Sequence, residues 1–217
     1  MKIISVIGPA GAGKDTVARF LSIALGVKIL CSFTTRPMRE GEANGREHYF
    51  VKECKTPRQD MLAYTEYGGY EYWTELAQVE DTAIYVIDEK GLLDICERFP
   101  DIELTNVYVA AKPETLKARG IAEERMQRDE YRVTMDINDF DYVITNNSSL
   151  YRLMVNAINV AQNIRMGGLE SDEEKEESEV IKRGLLEELQ ADGEHVPDTP
   201  WYPSGSYIVK PDKQDKK

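Results

Sequence analysis

A glycine-rich stretch near the start of the chain constrains the fold more than any other feature. Residues 8–16 read GPAGAGKDT and follow the apolar run 3–7, while apolar residues at helical spacing come directly after them. A strand, a glycine-rich loop and a helix in this order are typical of a phosphate-binding loop, because glycines let backbone N–H groups turn inward around phosphate oxygens. Lys14 supplies a compact cation for the β- and γ-phosphates. The agreement of strand, glycines, lysine and helix favours this interpretation over an ordinary glycine turn.

The metal ligand of this loop is left open by the sequence. Phosphate-binding loops commonly carry Ser or Thr directly after the lysine to hold Mg²⁺, whereas this chain has Asp15 there and Thr16 one position later. Thr16, Asp15 or a water molecule could hold the ion. The residues expected around the nucleotide phosphates are Gly8, Ala10, Gly11, Ala12, Gly13, Lys14, Asp15 and Thr16.

Apolar and helical segments alternate along most of the chain. Strand-like runs occur at 3–7, 27–31, 83–87, 104–111 and 142–145, and helical stretches separate most of them. Strands that are almost continuously apolar are buried on both faces, which is typical of a parallel sheet covered by helices. The sequence therefore predicts an α/β fold with a parallel five-stranded sheet. Residues 33–75 interrupt the alternation with a hairpin around Gly68 and Gly69, so we expect them to form a small antiparallel insertion.

The last fifty residues differ in composition from the rest. Residues 168–217 contain fourteen acidic and seven basic residues, so they carry −7 of the net charge of −12. We expect one domain over 1–167 and an acidic, flexible tail over 168–217, with one exposed helix near 180–189. Binding of a specific partner is the alternative role for this tail.

Charge and composition limit the partners. A net charge of −12 argues against broad binding to nucleic acid or to an anionic membrane. The three cysteines share no metal-type spacing, and no apolar run approaches the roughly 20 residues of a membrane span. We therefore expect a soluble, cytoplasmic protein without a leader segment, and the sequence does not indicate its oligomeric state.

A polar segment after the second strand predicts another anion site. Arg36 and Arg39 lie three residues apart and follow the hydroxyl residues Ser32, Thr34 and Thr35. Guanidinium forks and hydroxyl donors together can hold a phosphate. A second phosphate site implies two phosphorylated substrates, and a solvated basic loop is the alternative.

This segment and the phosphate-binding loop together resemble guanylate kinase, a nucleoside monophosphate kinase. The similar pattern is Ser32…Thr34-Thr35-Arg36-x-x-Arg39-x-Gly41-Glu42-x-x-Gly45-x-x-x-x-Phe50, and the resemblance extends over about residues 1–165. It implies ATP and Mg²⁺ as cofactors and GMP or dGMP as the acceptor. It also implies that Ser32, Arg36 and Arg39 hold the acceptor phosphate, that Tyr72 contacts this phosphate, and that Asp88 lies near the acceptor and the metal.

The resemblance further implies a short lid at about residues 112–132. Arg119, Arg125 and Arg128 lie where the family has lid and core arginines, and Arg125 and Arg128 would bring positive charge onto the transferring group. Lys14 and Arg36 complete the predicted catalytic set. Ion pairing with neighbouring acids is the alternative explanation for the two lid arginines.

Two positions of the acceptor-binding segment depart from the family pattern. His48 stands where the family has tyrosine, and the guanine-reading glutamate aligns with Ala63, while Glu66 lies three residues further on. Glu66 could accept hydrogen bonds from guanine, or it could be a solvent-facing carboxylate on the hairpin. Two alternatives to guanylate kinase activity follow: a kinase for another nucleoside monophosphate, and a non-catalytic guanylate kinase-like binding module.

Overall fold

The computed structural model describes residues 1–46, 48–124, 126 and 135–167, together with the backbone of 207–209. The elements are, in chain order, β1 (Lys2–Ile7), α1 (Lys14–Leu25), β2 (Lys28–Ile29), β3 (Phe33–Thr34), β4 (Tyr49–Phe50), β5 (Met61–Tyr67), β6 (Tyr70–Glu75), β7 (Thr82–Val86), α2 (Glu89–Arg98), β8 (Glu103–Ala110), α3 (Pro113–Ala118), β9 (Tyr142–Thr145), α4 (Leu150–Arg165) and β10 (Tyr207–Val209). Short 3₁₀ turns lie at Arg58–Asp60, Leu76–Gln78 and Ile137–Asp139.

The main sheet confirms the predicted parallel architecture. Its strand order is β10-β9-β8-β1-β7-β2, and the five strands from β9 to β2 are parallel to one another. The central strand β1 pairs with β7 on one side and β8 on the other. Parallel strands direct their carboxyl ends to the same edge, so the loop after β1 opens where β7, β8 and β9 also end.

Helices cover both faces of this sheet. Ile4 and Val6 pack with Val17 of α1 and Leu153 of α4 on one face. Ile3 and Ile7 point to the other face and pack with Leu92 and Ile95 of α2. The alternation along β1 therefore buries consecutive residues in two separate clusters, which explains why the strand is apolar throughout.

The insertion over residues 33–75, hereafter the lobe, forms its own four-stranded sheet in the order β4-β3-β6-β5. β6 is antiparallel to both β3 and β5, and Gly68 and Gly69 make the predicted tight turn with φ values of 61° and 78°. β3 and β4 are parallel, which differs from the expected antiparallel arrangement, because a long loop carries the chain back across the sheet before Tyr49. The Trp73 ring stacks on Phe33, as expected of packing aromatics.

An unexpected strand comes from the predicted tail. The backbone of β10 pairs antiparallel with β9, joining Tyr207 to Ile144 and Val209 to Tyr142. An aromatic and two β-branched residues favour a strand, and the outer edge of β9 offers unpaired backbone groups. The remainder of the tail lies outside the described residues, as do Glu47, Arg125 and residues 127–134 of the predicted lid.

Candidate active site

The phosphate-binding loop connects β1 to α1 and depends on glycine at its end. Gly13 is the N-cap of α1 with a φ of 97°, and a Cβ there would lie 2.5 Å from Asn146 Nδ2. Glycine is therefore required both by the backbone conformation and by the close neighbour. Gly13 provides no side-chain cap for α1. The first turn of α1 thus presents its backbone N–H groups and the positive end of the helix dipole to an anion.

Lys14 folds over the loop that precedes it. Its Nζ donates hydrogen bonds to the Gly8 and Pro9 carbonyl oxygens at 2.9 and 3.0 Å. The ammonium group therefore lies among the loop carbonyls, where it can move to phosphate oxygens by rotating the side chain. Asp15 follows as an exposed residue in the first turn of α1, and Thr16 is half-buried.

A brace from distant parts of the chain holds this loop. Arg119 donates from Nη1 to Gly11 O at 3.0 Å and from Nη2 to Asn146 O at 2.8 Å. The buried Asn146 side chain donates to Ala12 O at 2.8 Å. Two loop carbonyls are thus fixed by residues beyond the ends of α3 and β9. The resemblance placed Arg119 among the family's lid and core arginines, but gave no sign of these contacts.

The strongest charge pair of the lobe joins Arg36 to Glu42. Nη1 and Nη2 of Arg36 donate to the two Glu42 oxygens at 2.9 Å each, and Nη1 also donates to Pro37 O. Arg36 is only 7% exposed. Burial opposes its charge, but the hydrogen bonds and charge of Glu42 outweigh burial and raise the pKa of Arg36. The hydrogen bonds from Arg36 in turn lower the pKa of Glu42 to about 2.

Glu42 also fixes the loop that carries the second arginine. Its carboxylate accepts a hydrogen bond from the Arg39 backbone N–H at 2.7 Å, while the Arg39 residue is exposed. The hydroxyls of Thr34 and Thr35 accept hydrogen bonds from the backbone N–H groups of Arg36 and Glu71. These contacts hold the loop in place, and a role of the same hydroxyls as phosphate donors stays a prediction.

His48 lies in the lobe, directly before β4. Its Nδ1 is 2.8 Å from Ser32 Oγ, and its ring meets the Tyr72 ring edge-on with centroids 5.7 Å apart. Burial lowers the pKa of His48, and the Arg36 charge lowers it further, while Glu42 and Asp15 act in the opposite direction. The effect of Asp15 on this pKa indicates that His48 lies within electrostatic range of α1. Sequence reasoning noted His48 only as a departure from tyrosine.

Two predicted substrate residues have other contacts. Asp88 is the N-cap of α2 and accepts a hydrogen bond from Gly91 N at 2.7 Å. Glu66 pairs across the hairpin with Glu71, whereas Tyr72 pairs with Thr65 and so projects from the opposite face. The Glu66 carboxylate accepts a hydrogen bond from Tyr64 OH at 2.8 Å. The structure thus brings Ser32, Arg36 and Tyr72 together but leaves Glu66 on the outer face of the lobe.

The remaining predictions concern the lid arginines, a metal site and a membrane span. The predicted catalytic residues Arg125 and Arg128 lie outside the described residues. No cluster of three or more His, Cys, Asp or Glu side chains suited to a metal occurs in the described part of the chain. Within those same ranges, no helix has the length and apolar composition needed to cross a bilayer.

Comparisons with known proteins agree with this geometry. The sequence model of the guanylate kinase family matches residues 1–151. The chain is 30% identical over 166 residues to guanylate kinase of Prochlorococcus marinus (strain MIT 9312), covering 68% of this chain and 90% of the relative. It is 32% identical over 178 residues to guanylate kinase of Chlamydia pneumoniae, covering 70% and 84%. The crystal structure of guanylate kinase from Anaplasma phagocytophilum has the same fold, with a TM-score of 0.55, 20% identity and coverage of 78% and 87%.

Proposed function

The chain belongs to the guanylate kinase family, and we propose that it transfers the γ-phosphoryl group of ATP to GMP or dGMP. One observation carries this proposal: an intact phosphate-binding loop with Lys14 occurs together with a second set of candidate anion ligands, Ser32, Arg36 and His48, and Asp15 of α1 is close enough to His48 to act on its pKa. Two neighbouring anion sites fit a reaction between two phosphorylated substrates.

ATP occupies the phosphate-binding loop in this proposal. Backbone N–H groups at the start of α1 hold its phosphates, and Lys14 leaves the carbonyls of Gly8 and Pro9 to contact the β- and γ-oxygens. The Asn146 and Arg119 contacts keep the loop carbonyls turned away from the phosphates. The loop is thereby preorganised, so little reorganisation opposes binding.

Mg²⁺ fits the same end of α1. The Thr16 hydroxyl and the Asp15 carboxylate are oxygen ligands of the kind this ion prefers, and Mg²⁺ usually takes few protein ligands and keeps several waters and phosphate oxygens. When bound, the ion neutralises charge on the phosphates.

The acceptor phosphate lies against the lobe. Ser32, Arg36, Arg39 and Tyr72 are its proposed ligands, and His48 joins them because Ser32 orients its ring. Glu42 balances the charge of Arg36, so Arg36 serves chiefly as a fixed hydrogen-bond donor. Arg39 would then supply the net positive charge for a phosphate dianion, and His48 would contact it as a neutral hydrogen-bonding ring.

Phosphoryl transfer requires mainly positioning and charge neutralisation. Lys14 and the α1 N-terminus hold the transferring group, and Arg36 holds the acceptor oxygen in line with it. Arg125 and Arg128 remain predicted to bring further positive charge when the lid closes. Exclusion of water by closure limits wasteful ATP hydrolysis.

A kinase for another nucleoside monophosphate is the second candidate, and one observation favours it. Ala63 is 1% exposed and packs in the core with Tyr85 and Ile87, while Glu66 faces away from Tyr72. Neither position presents a carboxylate to the acceptor side of the lobe. Guanine offers its N1–H and 2-amino group as donors, so a missing acceptor would weaken its selection over other bases.

The test is ADP release from ATP in a coupled assay with GMP, dGMP, AMP and dTMP. We expect turnover with GMP or dGMP, and loss of at least about a thousandfold in kcat in Lys14→Met. Lys28→Met is the matched control, because Lys28 is exposed at the start of β2, far from the carboxyl ends of the strands.

Two results would count against the proposal. Nucleotide binding without ADP release from any monophosphate would indicate a binding module. Near-normal turnover in a folded Lys14→Met protein would show that this loop does not act on the donor phosphates.

A further inference from the structure

An exposed apolar groove lies between the C-terminal half of α1 and residues 154–165 of α4. It has a volume of about 410 Å³, and Phe20 and Ile23 of α1 and Met154 and Ile158 of α4 contribute to its walls. Ile23 is 81% exposed on its edge. At the other end of the two helices, a Cβ on Gly13 would contact Leu153, so the phosphate-binding loop lies beside the helix starts. The groove therefore extends away from the active site along the two helices, with Ile23 near its far end.

The chain leaves the described domain at this groove. Arg165 lines the groove and is the last residue of α4, so residue 168 begins within a few residues of it. Residues 168 to 206 then lead to β10, which pairs with β9 and contacts α4. The intervening 39 residues are thus attached at one end to α4 and at the other end to the main sheet.

One segment of this connection has an apolar stripe. Ile181, Leu185 and Leu189 are four residues apart, so they would share one face of a helix, with Arg183 and Glu187 on the other. The twelve residues 168–179 span up to about 40 Å when extended, which is enough to reach along the groove. These twelve residues are strongly acidic and begin beside Arg165, which gives the connection a complementary charge at the groove edge.

We propose that residues 180–189 form an amphipathic helix that packs into the groove between α1 and α4. Tethering at both ends favours this occupant over a second copy of the chain, because an intramolecular ligand has a high effective concentration. The docked helix would cover Ile23 and join the C-terminal segment to the domain. Residues 180–189 would then be a packed element, in contrast to the exposed helix that the sequence suggested.

Hydrogen–deuterium exchange on the full chain tests this docking. We expect backbone amides in 180–189 to exchange at least about tenfold more slowly than an unstructured peptide. Ile23→Asp and, separately, Leu185→Asp should abolish this protection. Leu93→Asp is the matched control, because Leu93 is 43% exposed on α2, which covers the opposite face of the main sheet, and it should leave the protection intact.

Three outcomes would overturn the proposal. The first is exchange of residues 180–189 at the unstructured rate in the unmodified chain. The second is protection that survives Ile23→Asp. The third is protection that appears only as protein concentration rises, because it would identify a second copy as the occupant. ADP release by Ile23→Asp should stay unchanged, which separates this test from that of the proposed kinase activity.

Discussion

Replacement of Glu42 by glutamine would test whether the buried ion pair positions Arg36. The carboxylate receives two hydrogen bonds from the guanidinium and one from the Arg39 backbone. Glu42→Gln removes the negative charge and replaces one acceptor oxygen by an NH₂ group that faces the guanidinium. Arg36 would then remain 7% exposed with no compensating charge in this pair.

The size of the effect follows from burial and the contacts that remain. Loss of one partner from a buried ion pair costs about 3–5 kcal/mol. Glutamine keeps one carbonyl oxygen, which can accept a single hydrogen bond from Arg36 or Arg39. We therefore expect the free energy of unfolding to fall by about 2–3 kcal/mol. The less ordered guanidinium should raise the KM for the acceptor monophosphate at least about tenfold, because ordering it would oppose binding.

Denaturant unfolding and steady-state ADP release measure the two effects. Glu66→Gln is the matched control, because the same chemical change falls on an exposed carboxylate on the outer face of the lobe. The control should change stability by less than about 0.5 kcal/mol and leave the order of preferred acceptors unchanged. An acceptor KM that falls in Glu42→Gln would refute the reasoning, because it would show that Glu42 restrains Arg36 from binding phosphate rather than positioning it.

Three further predictions concern pH and the loop brace. The pKa of Glu42 is lowered to about 2, so its stabilising contribution is fully present above the ordinary glutamate pKa of about 4.5 and is lost as pH falls towards 2. Unfolding measured over this pH range should show the loss of stability in the unmodified chain but not in Glu42→Gln. The lowered pKa of His48 has the same sign, so His48→Gln should reduce the loss of stability below about pH 6.5, as measured by denaturant midpoints. Asn146→Ala removes the hydrogen bond to Ala12 O, and we expect the KM for ATP to rise up to about tenfold while the KM for the acceptor stays unchanged. Equal changes in the two KM values would contradict a local role for Asn146 at the phosphate-binding loop.

The sequence predicted those parts of the fold that depend on local pattern. The apolar run 3–7 predicted β1. The prediction succeeded because every residue in this run is either buried in one of the two core clusters or hydrogen-bonded within the sheet. Gly26 ends α1 in the left-handed region, with a φ of 74°, as a glycine at that position predicts. Gly68 and Gly69 predicted the hairpin turn, because both adopt positive φ values that glycine tolerates. Such features depend on residues close together in the chain.

The features of the fold and site that the sequence did not predict depend mostly on contacts between residues far apart in the chain. Arg119 and Asn146 meet the phosphate-binding loop across more than one hundred residues of sequence, and neither the spacing nor the residue type indicates the partner. β10 adds to the sheet only because the edge of β9 is available at that point. The ion pair of Arg36 with Glu42 lies within one short motif, yet the sequence alone does not say whether this arginine faces a carboxylate or an open phosphate site.

The hairpin strand β5, which bears on the base preference, shows what strand alternation can predict and what it leaves undecided. Strand alternation places Tyr64 and Glu66 on one face of β5, and the hydrogen bond between them agrees with this. The pairing of Thr65 with Tyr72 then decides that this shared face is the outer one. On the inner face, Ala63 is buried and the Thr74 hydroxyl donates to Tyr85 OH at 2.6 Å. Hydroxyl groups both donate and accept, so they discriminate less sharply between bases than a carboxylate would. In the proposed kinase we therefore expect selection among monophosphates to depend more on fit than on charge.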